Sequence, residues 1–382
     1  MTHTVASTRP LALPATAQKH FGESFMQFHF RSVLRTRCWQ SAVCSALIAA
    51  PAMFTAQVAF AADAPAVTVG AGIRGFFGAT SYDGAGAPDD VNDFELNSAR
   101  IYISGTVTEN IKVMFNTEYT GADEDVNVID AAAMFSFSDK FNIWAGRFLP
   151  PSDRANLYGP YYASHWGTFI DGVQDGYPFE TTGRDDGVMY WGQFGIAKLS
   201  FGAFDVQGLT KNDSKVLYAA RAQFDFWDKE EGYYLNGTYY GDKDLLALGF
   251  AGQTAGSDKA YNVDFLLEKK LSNAGVVTVE SQYNKYDGLG GYMGPESDGY
   301  YALGAYLFPA QVGIGKFQIL GKYGEATYEL LSGDVKQKTT EVDLNYVIKQ
   351  HNARLTAFYI GQDYDDTTPD STQLGVAFQV QL

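Results

Sequence analysis

The chain has 382 residues, 46% of them apolar and 15% aromatic, with 28 basic against 44 acidic side chains and a net charge of −16. That acidity leaves no basic footprint for nucleic acid, and the aromatic content is too high for a disordered acidic polypeptide. Beyond the N-terminal region no run of 18 apolar residues occurs, which excludes a helical membrane protein but not a barrel, whose strands need only alternate.

Residues 1–61 read as an N-terminal extension and secretory signal, with Met26 as the expected start. Arg31, Arg35 and Arg37 supply the positive region, Ser41 to Phe60 the small, largely apolar stretch, and Ala59-Phe60-Ala61 the small-residue cleavage site. Processing there removes five basic residues and one acidic residue, leaving 23 against 43 and a net charge of −20. Both cysteines, Cys38 and Cys44, leave with the signal, so residues 62–382, the expected barrel domain, carry no thiol. Of the five histidines only His165 and His351 remain, and no metal or other cofactor is expected.

The first predicted strand sets Val67, Val69, Ala71, Ile73 and Phe77 on one face against Thr68, Gly70 and Arg74 on the other. In the second, Ala99, Ile101, Ile103 and Val107 oppose Ser98, Arg100, Tyr102 and Ser104, and in the third Ile111, Val113, Phe115 and Tyr119 oppose Lys112, Asn116 and Glu118. Near the end Val342, Leu344, Tyr346 and Ile348 oppose Glu341, Asp343 and Asn345, and the alternation runs on through Leu374, Val376, Phe378, Val380 and Leu382. A soluble sandwich would turn a Lys- and Glu-rich face to water. Here the polar face holds Gly, Ser, Asn, Thr and Gln with scattered charges, and the apolar face is rich in Tyr and Phe. That pattern fits lipid outside, aromatic belts at both interfaces and a wet lumen. An open sheet in lipid would leave backbone groups unpaired at several kcal/mol each, so the sheet must close.

Connections alternate between short and long. The short ones are 108–110, 138–140, 193–195, a longer stretch at 227–243, then 272–275, 309–315 and 349–352. Seven such turns with both termini on one side predict an all-β transmembrane antiparallel barrel of about sixteen strands, or eighteen if the tyrosines of 227–243 form another hairpin. The long connections at 82–93, 120–127, 287–298 and 362–370 are acidic and read as solvated external loops rather than calcium sites.

The blocks ARIYISGTVTENIKVMFNTEY (99–119), IDAAAMFSFSDKFNIWAGRF (129–148) and GRDDGVMYWG (183–192) resemble the phosphate-selective porin O/P family of outer-membrane channels. The resemblance implies a homotrimer in outer-membrane lipid and lipopolysaccharide, with the third external loop folded inward as a constriction. It also implies a one-signed ladder of lumenal arginines, which this sequence lacks. Its inward positions carry Arg74, Arg100, Lys112, Lys198, Arg221, Lys322 and Arg354 alongside Glu118, Asp130, Asp225, Asp264, Glu268, Glu280, Glu341 and Asp343.

The long stretch 149–185 is too long for an idle hairpin and is read as that constriction loop. Asp153 and Arg154 at its base either set opposed charges across a narrow opening or, with Arg184, Asp185 and Asp186, pin the loop to the wall. Arg147 is outward by simple alternation and joins the constriction only if a bulge turns it inward. Catalytic constellations are thin, because His165 follows Ser164 directly and His351 lies in a predicted turn. The expected function is passive diffusion of small hydrophilic solutes or ions. A phosphate- or oxyanion-selective channel and a non-conducting scaffold or adhesin barrel stand as alternatives.

Overall fold

In the computed structural model, which describes residues 66–121, 125–167, 183–205, 216–289 and 296–382, each alternating segment above is a strand. The expected signal and cleavage site lie outside the described residues. The strands of the first half are β1 (Ala66–Asp83), β2 (Val91–Thr108), β3 (Ile111–Thr120), β4 (Val126–Ser138), β5 (Phe141–Phe148), β6 (Asp185–Phe194), β7 (Ala197–Asp205) and β8 (Val216–Asp225). Those of the second half are β9 (Leu245–Ala255), β10 (Asp258–Lys270), β11 (Val276–Asp287), β12 (Glu296–Leu307), β13 (Lys316–Leu330), β14 (Gly333–Lys349), β15 (Ala353–Tyr364) and β16 (Asp370–Gln381). Each pairs antiparallel with its chain neighbours, and β1 pairs with β16 from Gly72↔Gln381 to Asp83↔Asp370. Leu382 N donates to Ala71 O at 2.9 Å, sealing the ring at its last residue. The barrel is closed with sixteen strands, so the alternative of eighteen falls.

Closure decides where the polar and apolar faces go. Along β14 the buried positions are Val335, Gln337, Thr339, Glu341, Asp343, Asn345 and Val347, while Val342 and Leu344 are nearly half exposed. On the outside, Phe137, Phe141 and Tyr190 pack ring to ring near the short turns, as do Phe317 and Tyr346, forming a belt at that end. If that outer wall faces lipid, Val342→Arg, near the middle of β14, costs about 2–4 kcal/mol. Gln373→Arg, which points into a lumenal cavity, should cost far less. Heat resistance of the folded barrel in detergent micelles checks the difference.

Where strict alternation slips, a bulge accounts for it. Asn116 pairs with Asp130 and Thr117 with Val128, so Ile129 is the extra residue and both Ile129 and Asp130 are buried. The core lies inside the barrel rather than between sheets. Phe148, Leu149, Leu157, Tyr158, Phe204, Tyr233 and Leu235 cluster there, drawn from the wall and from two segments that enter the lumen.

Candidate functional site

The first lumenal segment is the start of the third external loop, 149–167. Asp153 caps α1 (Arg154–Tyr162), its carboxylate accepting from Asn156 N at 2.8 Å. Gly159, at φ 59° and ψ −178°, kinks the helix immediately before Pro160 in a conformation that favours glycine. Wall residues hold this segment all the way across. Gln253 Nε2 donates to Pro151 O, Arg221 Nη1 to Ser152 O, and Tyr158 Oη to Glu280 Oε1 at 2.7 Å. Further on, Gln379 Nε2 donates to Tyr161 O, Arg354 Nη1 to Ala163 O, and Arg74 Nη2 to Trp166 O. Gly72 on β1 makes room at the crossing, since a Cβ there would stand 2.7 Å from the Tyr161 ring. Residues 168–182 of the loop lie outside the described residues.

The second segment, 226–244 between β8 and β9, belongs to the predicted short-turn side, yet it forms no hairpin of its own and packs beneath α1. Leu235 N donates to Leu157 O, Gly237 N to Tyr162 O, and Tyr233 Oη to Leu149 O. Glu230 and Arg154, both fully buried, form a bidentate pair at 2.5 and 3.0 Å. Asp225 receives Glu230 N and Gln223 Nε2, fixing the segment at its entry. Glu268 accepts from Thr238 Oγ1, Tyr239 N and Gly241 N, and the 350–352 turn closes over it with His351 Nε2 2.8 Å from Thr238 O.

The predicted residues therefore separate into groups. Arg100 and Glu118, directly opposed on β2 and β3, make a bidentate pair at 2.8 and 2.9 Å. Arg184 Nε donates to Asp130 at 3.0 Å, and Asn116 Nδ2 shares that carboxylate at 2.8 Å. Arg221 clasps Asp264, which also lies 3.6 Å from Arg154 Nε. Lys112 shares the inward side of β3 with Met114 and Asn116 but is exposed near the strand's short-turn end.

Arg147 requires a correction. It shares the outer face with Ala145 and Ala131, and it pairs with Asp186 at 3.5 Å, away from the constriction, because no bulge turns it inward. Asp153 and Arg154 do not face each other across an opening. Capping occupies Asp153, and the ion pair with Glu230 occupies Arg154. Asp185 is buried at the start of β6, where its carboxylate accepts from Asp186 N.

Sequence reasoning missed Glu230 and the four tyrosines Tyr233, Tyr234, Tyr239 and Tyr240. Their density in a connection that needed only a short turn was the available signal. Between the two segments and the β2–β4 wall lies a cavity of about 350 Å³. A second, of similar volume, opens above Trp166 among Thr80, Glu95, Thr339, Gln362 and Gln373.

Burial of three ionisable groups makes the docking pH-sensitive. Burial, reinforced by the Lys322 charge, pushes the pKa of His165 down to about 4, and burial does the same to His351. Burial pushes Asp153 the other way, to about 6. Each histidine binds its proton near pH 6.5 when freed but only near 4 when docked, so acidification through that window removes about 3 kcal/mol of docking per histidine. Asp153 has the opposite sign: its docked form gains relative stability as pH falls from 6 towards 3.8, offsetting about one histidine. The two histidines on their own favour looser packing around His165 and His351 at pH 4 than at pH 7. Channel-current noise against pH checks it, and His351→Gln should flatten the response.

No known family profile matches this chain, and no curated protein matches it by sequence. Solved structures match by shape. The anion-selective porin from Comamonas acidovorans aligns at TM-score 0.55 and 14% identity, over 84% of this chain and 100% of that one. OmpF of Salmonella typhi aligns at 0.56 and 12%, over 82% and 97%. The outer-membrane channel DcaP of Acinetobacter baumannii aligns at 0.52 and 12%, over 83% and 97%. At these identities the likeness establishes the fold, and the chain is a closed sixteen-stranded barrel of outer-membrane porin architecture.

Proposed function

We propose that the protein is an outer-membrane channel for passive diffusion of small polar solutes or ions, filtered where 149–167 and 226–244 meet inside the barrel. The observation that carries this is the closed wall, apolar outside and lined within by Arg, Lys, Asp, Glu, Asn and Gln. No energy source or catalytic step enters the reading. Lumenal charges of both signs interleave as Arg100–Glu118, Arg184–Asp130, Arg221–Asp264 and Lys322–Glu341. Paired charges present little net field to a passing ion, so selectivity by sign should be weak. A phosphate or oxyanion channel would need an excess of one sign along the path. The proposal extends to a homotrimer, as the porin resemblance implies, with lipid or a second copy covering the apolar wall.

A second reading, a non-conducting scaffold, draws on the apolar packing of Leu149, Leu157, Tyr233 and Leu235 in the lumen. Reconstitution of purified protein in planar bilayers under a salt gradient tests both. Discrete current steps with a reversal potential near zero are expected. Strong anion preference selects the oxyanion channel, and a silent bilayer selects the scaffold.

A further inference from the structure

The cavity between α1, residues 234–236 and the β2–β4 wall has a chemistry that a general polar pore does not need. Its walls are largely apolar, formed by Met114, Ile129, Leu149 and Leu157 with the rings of Tyr102 and Tyr234. Into it project two guanidinium groups, Arg100 and Arg184, and the Asp130 carboxylate. Glu118, on Arg100, brings these fixed charges into balance. Tyr162, which also lines the cavity, is 38% exposed, so the chamber communicates with solvent.

Three classes of solute can be weighed against that lining. A net anion or net cation gives up hydration in a chamber with no net charge to compensate it, which is costly. A sugar finds Asn116, Asn236 and the tyrosine hydroxyls for some of its own hydroxyls, but it uses neither fixed charge and gives up water against Met114, Ile129 and the leucines. A small zwitterion with an apolar side group meets complementary surfaces throughout. Its carboxylate faces a guanidinium, its ammonium faces Asp130, and its side group lies on Leu149 and Ile129. Arg184 and Asp130 are themselves in contact at 3.0 Å, so their opposite charges are spaced like those on a single amino-acid headgroup. A volume of about 350 Å³ falls at the small end of the range usual for small-molecule pockets.

We infer that this chamber is a subsite for small apolar zwitterions, of which a hydrophobic amino acid is the simplest. The inference rests on the channel reading above and names its preferred solute. The test uses the full-length processed protein in planar bilayers and in liposome-swelling assays, with L-phenylalanine as probe. L-arabinose, 3-phenylpropionate and phenethylamine serve as neutral, anionic and cationic comparators.

The expected result is concentration-dependent interruption of ion current by phenylalanine, with entry faster than that of arabinose by about tenfold, the equivalent of one charge-assisted contact. Arg184→Gln and Asp130→Asn should each collapse that ratio towards one, read only in preparations that keep the heat-resistant barrel. Equal rates for phenylalanine and arabinose in the unaltered protein overturn the inference. So do equal interruptions by 3-phenylpropionate or phenethylamine, or a ratio untouched by both variants. Ion current without phenylalanine preference sinks this inference and spares the channel reading, whereas absence of all current sinks both.

Discussion

Arg154→Leu should destabilise lumenal packing by about 3–5 kcal/mol and make the open-channel current noisy, because it strips a buried carboxylate of its partner. Arg154 and Glu230 are both fully buried, and the guanidinium also donates to Asn236 O at 3.0 Å. The Arg154 charge beside Glu230 keeps that carboxyl below its ordinary range even though burial pushes it up. Without the arginine, only the Lys198 charge and the hydrogen bonds from Gln223 and Tyr239 support the Glu230 carboxylate, and the loss loosens 226–244 from α1. The double variant Arg154→Leu with Glu230→Leu should recover most of the loss, since neither charge then remains to be desolvated. Heat resistance on gels and current variance in bilayers read the two effects. A single variant as heat-resistant and quiet as the parent would show that the pair does not clamp the segments.

Excision of residues 229–243, with Asp228 joined to Asp244 through an Asn-Gly turn, should raise single-channel conductance several-fold while the barrel persists. The strand ends already meet where the cut falls: Phe226 N donates to Leu246 O at 2.9 Å and Asp228 N to Asp244 O at 3.0 Å. A two-residue turn therefore completes a hairpin whose register exists. What disappears is the mass of Tyr233, Leu235 and Tyr240 from the lumen, together with the support they give α1. Unchanged conductance would place the narrowest point elsewhere.

The wall was legible in the sequence because a closed barrel with one apolar and one polar face writes its geometry with period two. Val342, Leu344 and Val376 could be assigned outward, and Glu341, Asp343 and Gln379 inward, from alternation alone. Alternation also assigned Arg147 outward, and the structure agrees with the rule rather than with its place in the constriction. The inward path of the loop beginning at Leu149 was inferred from length and aromatic content, which do not specify contacts. Its partners are scattered over β1, β2, β8, β9, β11, β14, β15 and β16. Residues 226–244 defeated the reading for the same reason, since nothing local in that stretch says that Leu235 N will find Leu157 O across 78 positions of chain. Periodicity reports which side of a wall a residue faces, and it carries no information about irregular chain folded within.

Neighbouring positions on β16 separate the two sides most directly. Residues 62–382 carry no thiol, so in a chain expressed without residues 1–61 Gln373→Cys, which lines the upper lumenal cavity, and Leu374→Cys, which points outward, each carry a unique one. A charged, membrane-impermeant thiol reagent added to reconstituted channels should cut the current through Gln373→Cys and leave that through Leu374→Cys unchanged. Equal reaction at both positions would mean that the outer face meets water rather than lipid, and the account of a lipid-bounded pore would fail.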